Sequence, residues 1–221
     1  MTRTKKSNSS ITISRDLYMA TIMLTTDHLP TKIDTVFLYS RSFGDDAGLF
    51  ELTSNLYKNN VVKSILITDS DGRRDGGIVP AEAWPGKDSW IQKLTNFGVD
   101  RIILTSEAYN TKSESYSFLY KAKELDFKSA VVIAQPHQIV RVMLTLVKVM
   151  AKTHFYIRIY CLCPHSTSWS KEVYGSQGNK SMPRKLHIQE EFKRIVKYQK
   201  TDDLVNFPEL FTYLAKREKM V

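Results

Sequence analysis

Cysteine is nearly absent: Cys161 and Cys163 are the only two in 221 residues, too few for a disulfide framework and too close together to staple distant elements. A reducing, cytosolic setting is the expectation. The chain also lacks any run of about eighteen uncharged apolar residues. Its most apolar helical stretch, His137 to Lys152, is interrupted by Arg141 and Lys148, so no transmembrane segment is expected. Nor is there an apolar run behind the basic opening, where Arg3, Lys5 and Lys6 stand among Ser, Thr and Asn, that could serve as a signal-peptide core. Residues 1–13 read as a disordered basic tail. Without an internal repeat or a low-complexity linker, residues 14–221 read as one α/β domain. Ser106 has no nucleophile-elbow context, which leaves out a hydrolase triad of that kind.

What is present describes a globular protein. A hydrophobic fraction of 42% and an aromatic fraction of 11% allow enough apolar burial to offset lost conformational entropy. The formal charge of +9 favours anionic ligands. Much of the excess lies in the amino tail and beyond Lys180 rather than along one aromatic-rich stripe, which argues for a solvated basic face and against nucleic acid.

Five apolar runs have the length and β-branched content of buried strands: 34–39, 63–68, 101–105, 129–134 and 154–162. The first four barely alternate, as expected of strands covered on both faces. Amphipathic helical segments fall between them at 49–58, 88–97, from Thr111 onward and after Gln135-Pro136. Thr111 and Glu114 have the spacing of a capping box. The pattern predicts a three-layer parallel sheet of about five strands with helices on both faces. A polar surface loop over 164–183 and helices over 186–199 and 208–216 complete it.

In such sheets a ligand sits outside the carboxyl ends of the strands. The polar residues there are Ser40-Arg41-Ser42, Asp69-Ser70-Asp71-Gly72, Ser106-Glu107 with Asn110-Thr111, and Gln135-Pro136-His137. His137 and Arg141, four apart at a helix start, are expected on one face, where an imidazole and a guanidinium can share an anionic ligand. The bland alternative is a helix cap and a structural ion pair.

The combination of Glu107, Asn110-Thr111 and Glu114 after one strand, then His137 and Arg141 after the next, resembles the YdcF, SanA and ElyC family. The resemblance covers about residues 35–152, with 186–216 as a helical extension, and is nearer the soluble YdcF type. It implies a Rossmann-like domain that binds a small anionic or nucleotide-like ligand, S-adenosylmethionine among the candidates. His137 and Glu107 would be the catalytic pair, with Ser40, Arg41, Asp69, Asn110, Thr111, Glu114 and Arg141 binding the ligand. Whether turnover follows binding is left open. The glycine-rich turns usual after the first two strands are replaced by Ser40-Arg41-Ser42 and Asp69-Ser70-Asp71-Gly72, which keeps a second reading alive: a non-catalytic interaction protein with a basic surface.

A third reading starts from Asp69 and Asp71, alternate carboxylates at a strand end that can bind Mg²⁺ and attack phosphorus. This resembles the first motif of haloacid-dehalogenase-type phosphatases, with Thr105 and Asp202-Asp203 as later motifs. Cys161, Cys163 and His165 would share a face only if a strand ran through Pro164, so buried apolar cysteines are expected rather than a metal site. Trp84 and Trp169 sit in loops, where an indole can stack a ring or simply pack down.

Overall fold

The computed structural model describes residues 5–41, 44–46, 48–71, 73–74, 77–78, 85–165, 168–175 and 181–220. Ser42, Gly72 and Trp84 lie outside the described residues. Five parallel strands form the central sheet: β1 (Thr35–Leu38), β2 (Ile65–Ile67), β3 (Ile102–Leu104), β4 (Ser129–Ile133) and β5 (Arg158–Leu162). Their order across the sheet is β3-β2-β1-β4-β5. The chain therefore builds outward from β1 in one direction, then returns to its other side through β4, as in a doubly wound Rossmann-like fold.

Helices α1 (Lys5–Thr25), α2 (Leu49–Lys58), α3 (Gly86–Asn96), α4 (Thr111–Glu124), α5 (Ile139–Thr153), α6 (Arg184–Lys200) and α7 (Phe207–Arg217) cover both faces. Strand residues alternate between two cores. Val36, Leu38, Ile65, Ile67, Val131 and Ile133 pack with Leu49, Phe50 and Leu56 of α2 and Trp90 and Leu94 of α3. Phe37, Leu66, Ala130, Val132, Ile159 and Cys161 pack with residues of α1, α4, α5, α6 and α7. Burial on both faces accounts for the near-continuous apolar strands.

The structure adds to three expectations. Helix α1 runs from Lys5, and its later turns bury Ala20 and Leu24 against the sheet. Leu17, Ala20 and Leu24 recur at the three-and-four spacing of a buried helical stripe. The helices over 184–200 and 207–217 extend the fold, and their Ile195, Phe207, Leu210 and Leu214 complete the larger core. The segment 164–183 is more than loop: Glu172–Tyr174 and Ser181–Pro183 pair as a short antiparallel ribbon with Val173 buried.

End strand β5 is closed by side chains rather than by another strand. The backbone N–H of Cys161 donates to Asp27 (2.9 Å) and that of Ile159 to the Tyr213 hydroxyl (2.8 Å), while Arg217 donates to the Ile159 carbonyl (2.8 Å). These bonds satisfy backbone groups that an open edge would offer to another chain. Among the described residues no helix is long and apolar enough to cross a membrane.

Candidate functional site

The strand order reverses between β1 and β4, so the loops leaving these two strands frame the crevice where ligands bind in open α/β sheets. From the β1 side come Ser40, Arg41 and Asp45; from the β4 side come Gln135, His137 and Gln138. The β1 loop turns at Gly48, whose φ of +76° suits glycine, and an added Cβ there would stand 2.8 Å from Pro164 after β5. The loop is thus pinned against the neighbouring strand end.

Asp45 is the centre of the crevice. Its carboxylate pairs with Arg41 and accepts from Arg184 Nε at 2.9 Å, and its carbonyl accepts from Gln135 Nε2 at 2.8 Å. His137 Nε2 stands 3.7 Å away. Arg184 also donates to the carbonyls of Gly44 (3.1 Å) and Ser168 (2.5 Å), so the amino end of α6 is drawn over the crevice. His187, one turn along, donates to the Val173 carbonyl at 3.0 Å and lies beside His137, with ring centroids 6.1 Å apart. Trp169 approaches the His137 ring edge-on, at 6.3 Å between centroids.

A second set of charges adjoins the first. Arg141 pairs with Glu191 of α6 and donates to Thr111 Oγ1 at 2.8 Å, while Arg194 donates to the same carboxylate at 2.5 Å. Glu114 accepts the backbone N–H of Ser40 at 2.7 Å. Arg41, Asp45, Glu114, Arg141, Arg184, His187 and Glu191 are all buried.

Burial governs the protonation of this cluster. It disfavours the carboxylate of Asp45, yet Arg41 first and then His137 and Arg184 hold that carboxyl below its usual range. Glu191 is likewise held down against burial by Arg141 and Arg194. Glu114 is raised by burial, with only partial relief from Ser40, Arg41 and Arg141. Burial pushes His137 down to about 4 despite the pull of Asp45, so its imidazole is neutral at physiological pH. The guanidiniums therefore hold Asp45 ionised at neutral pH.

Three polar atoms in this crevice have no hydrogen-bond partner among the described residues: Arg41 Nε, His137 Nδ1 and Gln138 Oε1. Unsatisfied buried donors and acceptors are uncommon in folded proteins, because each forfeits its hydration. Here they belong to residues of the β1 and β4 loops and include both donor and acceptor capacity.

Of the residues expected from the sequence, Ser40, Arg41, Thr111, Glu114, His137 and Arg141 meet in this network. Others stand apart. Glu107 is exposed after β3, and Asp45 rather than Glu107 is the carboxylate beside His137. Asn110 caps α4, its side-chain oxygen accepting from Ser113 N at 2.9 Å while Ser113 bonds back to the Asn110 N–H. The capping box is thus Asn110 with Ser113, not Thr111 with Glu114, which leaves the latter pair available to Arg141 and Ser40. Helix α5 begins at Ile139, so His137 precedes it and meets Arg141's surroundings through the loop rather than along a helix face.

Asp69 pairs with Lys87, a partly exposed contact, and Asp71 is exposed. Thr105 accepts from Ser117 at 2.7 Å, Asp203 pairs with Lys112 at 2.6 Å, and Asp202 pairs with Lys148. Asp69, Thr105, Asp202 and Asp203 of the phosphatase-type reading are therefore each engaged with a neighbour of their own. Burial raises both cysteine thiols, Cys163 to about 12, which keeps them protonated and unreactive; His165 is exposed.

Asp45, Arg184, His187 and Glu191 escaped the sequence reading. Arg184 and His187 lie past a polar stretch of chain, and only their three-residue spacing at a helix start hints at a shared face. No family model matches this chain, and no curated protein does.

Proposed function

We propose that the chain binds a small anionic ligand in the crevice between the β1 and β4 loops, in the manner of the YdcF-like domains it resembles. The observation that carries this reading is the coincidence of unpartnered Arg41 Nε, His137 Nδ1 and Gln138 Oε1 with the point where strand order reverses. Arg41 Nε offers a donor to a carboxylate or phosphate oxygen. A neutral imidazole can donate to or accept from the same ligand, and Gln138 supplies an acceptor for a hydroxyl or amine. Three buried guanidiniums, from Arg41, Arg141 and Arg184, face Asp45, Glu191 and Glu114, and the last is the carboxyl most readily protonated. Arg194 adds a further guanidinium on Glu191, so positive groups outnumber carboxylates in the cluster and an anionic group suits it. S-adenosylmethionine, whose carboxylate and amine match these donors and acceptors, and nucleotides are the first ligands to try.

The test is a thermal-shift screen against S-adenosylmethionine, nucleotides and sugar phosphates, followed by calorimetric titration of any hit. A ligand at a hundred times its dissociation constant stabilises the fold by about 2.7 kcal/mol, an easily read rise in Tm. The rise is expected to disappear in His137→Asn and Gln138→Leu, both near in size to the native side chain. A hit equally strong in these variants, or no shift with any of the compounds, overturns the reading.

A further inference from the structure

The opposite edge of the sheet has a different character. A cavity of about 1060 Å³ opens at the amino ends of the strands and is lined by Lys32, Lys58, Lys63, Arg101, Lys128 and Arg158, with Asp34 as the only carboxylate among its lining residues. Asp34 is occupied: its carboxylate accepts from the backbone N–H groups of Lys128 (2.8 Å) and Ser129 (2.9 Å). Lys128 pairs with Asp126. Among the described residues, none of Lys32, Lys58, Lys63, Arg101 and Arg158 forms an ion pair with a carboxylate. Lys32 and Arg158 bond only carbonyls, those of Asn60 (2.7 Å) and Met220 (2.9 Å).

The arrangement of these charges follows from topology. Arg101 precedes β3, Lys63 precedes β2, Lys32 precedes β1, Lys128 precedes β4 and Arg158 opens β5. Placed in sheet order, they form one row with a cation at the entrance of every strand. Neighbouring strands lie about 4.8 Å apart, so the row is roughly 19 Å long. Helix carboxyl ends at this edge account for one or two such cations, since their carbonyls attract positive charge. They do not account for a continuous row.

One aromatic side chain, Tyr57, lines the cavity, and two exposed ones, Phe97 and Tyr156, lie on connections at this edge of the sheet, those that lead into β3 and β5. A linear file of cations with flanking rings matches a single nucleic-acid strand, whose phosphates are regularly spaced and whose bases stack on rings without regard to sequence. We propose that this edge binds single-stranded nucleic acid through its backbone, without base specificity. The basic residues involved are dispersed over 127 positions of chain, from 32 to 158, which is why no basic stripe is visible in the sequence.

The test is fluorescence anisotropy with a labelled oligothymidylate of about twelve nucleotides, within the site sizes of such grooves. Affinity should fall with salt, with a logarithmic slope of roughly −2 to −3.5, corresponding to three to five neutralised phosphates. Lys63→Ala with Arg101→Ala should reduce that slope by about 1.4. Both side chains are exposed, and a thermal melt verifies the fold; Lys32→Ala with Lys58→Ala repeats the test from other positions in the bowl. Lys193→Ala, a basic residue of α6 outside the cavity, should leave slope and affinity unchanged. No binding at low salt, an unchanged slope in both double variants, or binding of inorganic polyphosphate but not of the oligonucleotide overturns the proposal.

Discussion

His137 is a neutral imidazole set among ionised groups, and its burial has a consequence for stability. Unfolded, it titrates near 6.5; folded, it is pushed down to about 4. Between these values the unfolded chain binds the extra proton, so stability contributed by the neutral ring is complete above pH 6.5 and is lost as pH falls toward 4. The difference is on the order of 3 kcal/mol. His137→Asn should therefore flatten the pH dependence of urea-unfolding free energy between pH 7 and pH 4.5; an unchanged slope would count against a buried neutral ring. Glu114, raised by burial, works in the opposite direction, while Asp45 and Glu191, held low, release their stabilisation only below the ordinary carboxylate range. At this scale the sequence placed Arg41, Glu114, His137 and Arg141 at the strand ends, and the fold brings them into one network. The sequence missed Asp45, because an aspartate in a loop has the same local pattern whether it faces water or two guanidiniums and an imidazole.

Helix α4 shows how a sequence motif can be right in kind and displaced in register. Asn110, Thr111, Ser113 and Glu114 all suit a helix start, and the fold divides the work by geometry: Asn110 and Ser113 cap, Thr111 and Glu114 turn inward. Asn110→Ala should lower unfolding free energy by about 1 kcal/mol, the usual cost of losing such a cap, measurable by urea denaturation. Thr111→Val should instead leave the cap intact and deprive Arg141 of its hydroxyl acceptor. Strand and helix identities were legible for α2 and for β1 to β5, since period and apolar content are local properties. Helix α1 was not, because its buried stripe of Leu17, Ala20 and Leu24 is short and is flanked by polar Thr and Asp.

Across the whole molecule, α6 carries the ionic network from the crevice to the outer helical layer. Glu191 answers both Arg141 and Arg194, and Arg184 answers Asp45. Glu191→Ala should cost about 3 to 5 kcal/mol of unfolding free energy, because Arg141 is then left buried without its carboxylate. A much smaller loss in chemical denaturation would mean that Arg141 finds water or another partner. The two faces of chemistry, a buried polar crevice at one edge of the sheet and a basic bowl at the other, exist only because five strands run in the same direction.

The amino-acid sequence by itself determined the α/β class, the five strands, most of the helices and the polar residues that leave the strand ends. These depend on period, propensity and turn chemistry within a few residues. Tertiary structure alone decided the strand order, the pairing of Asp45 with Arg184 across the chain, and the alignment of Lys32, Lys63, Arg101, Lys128 and Arg158 in one row. Such relations depend on which distant segments the two cores bring side by side, and no local pattern encodes that choice.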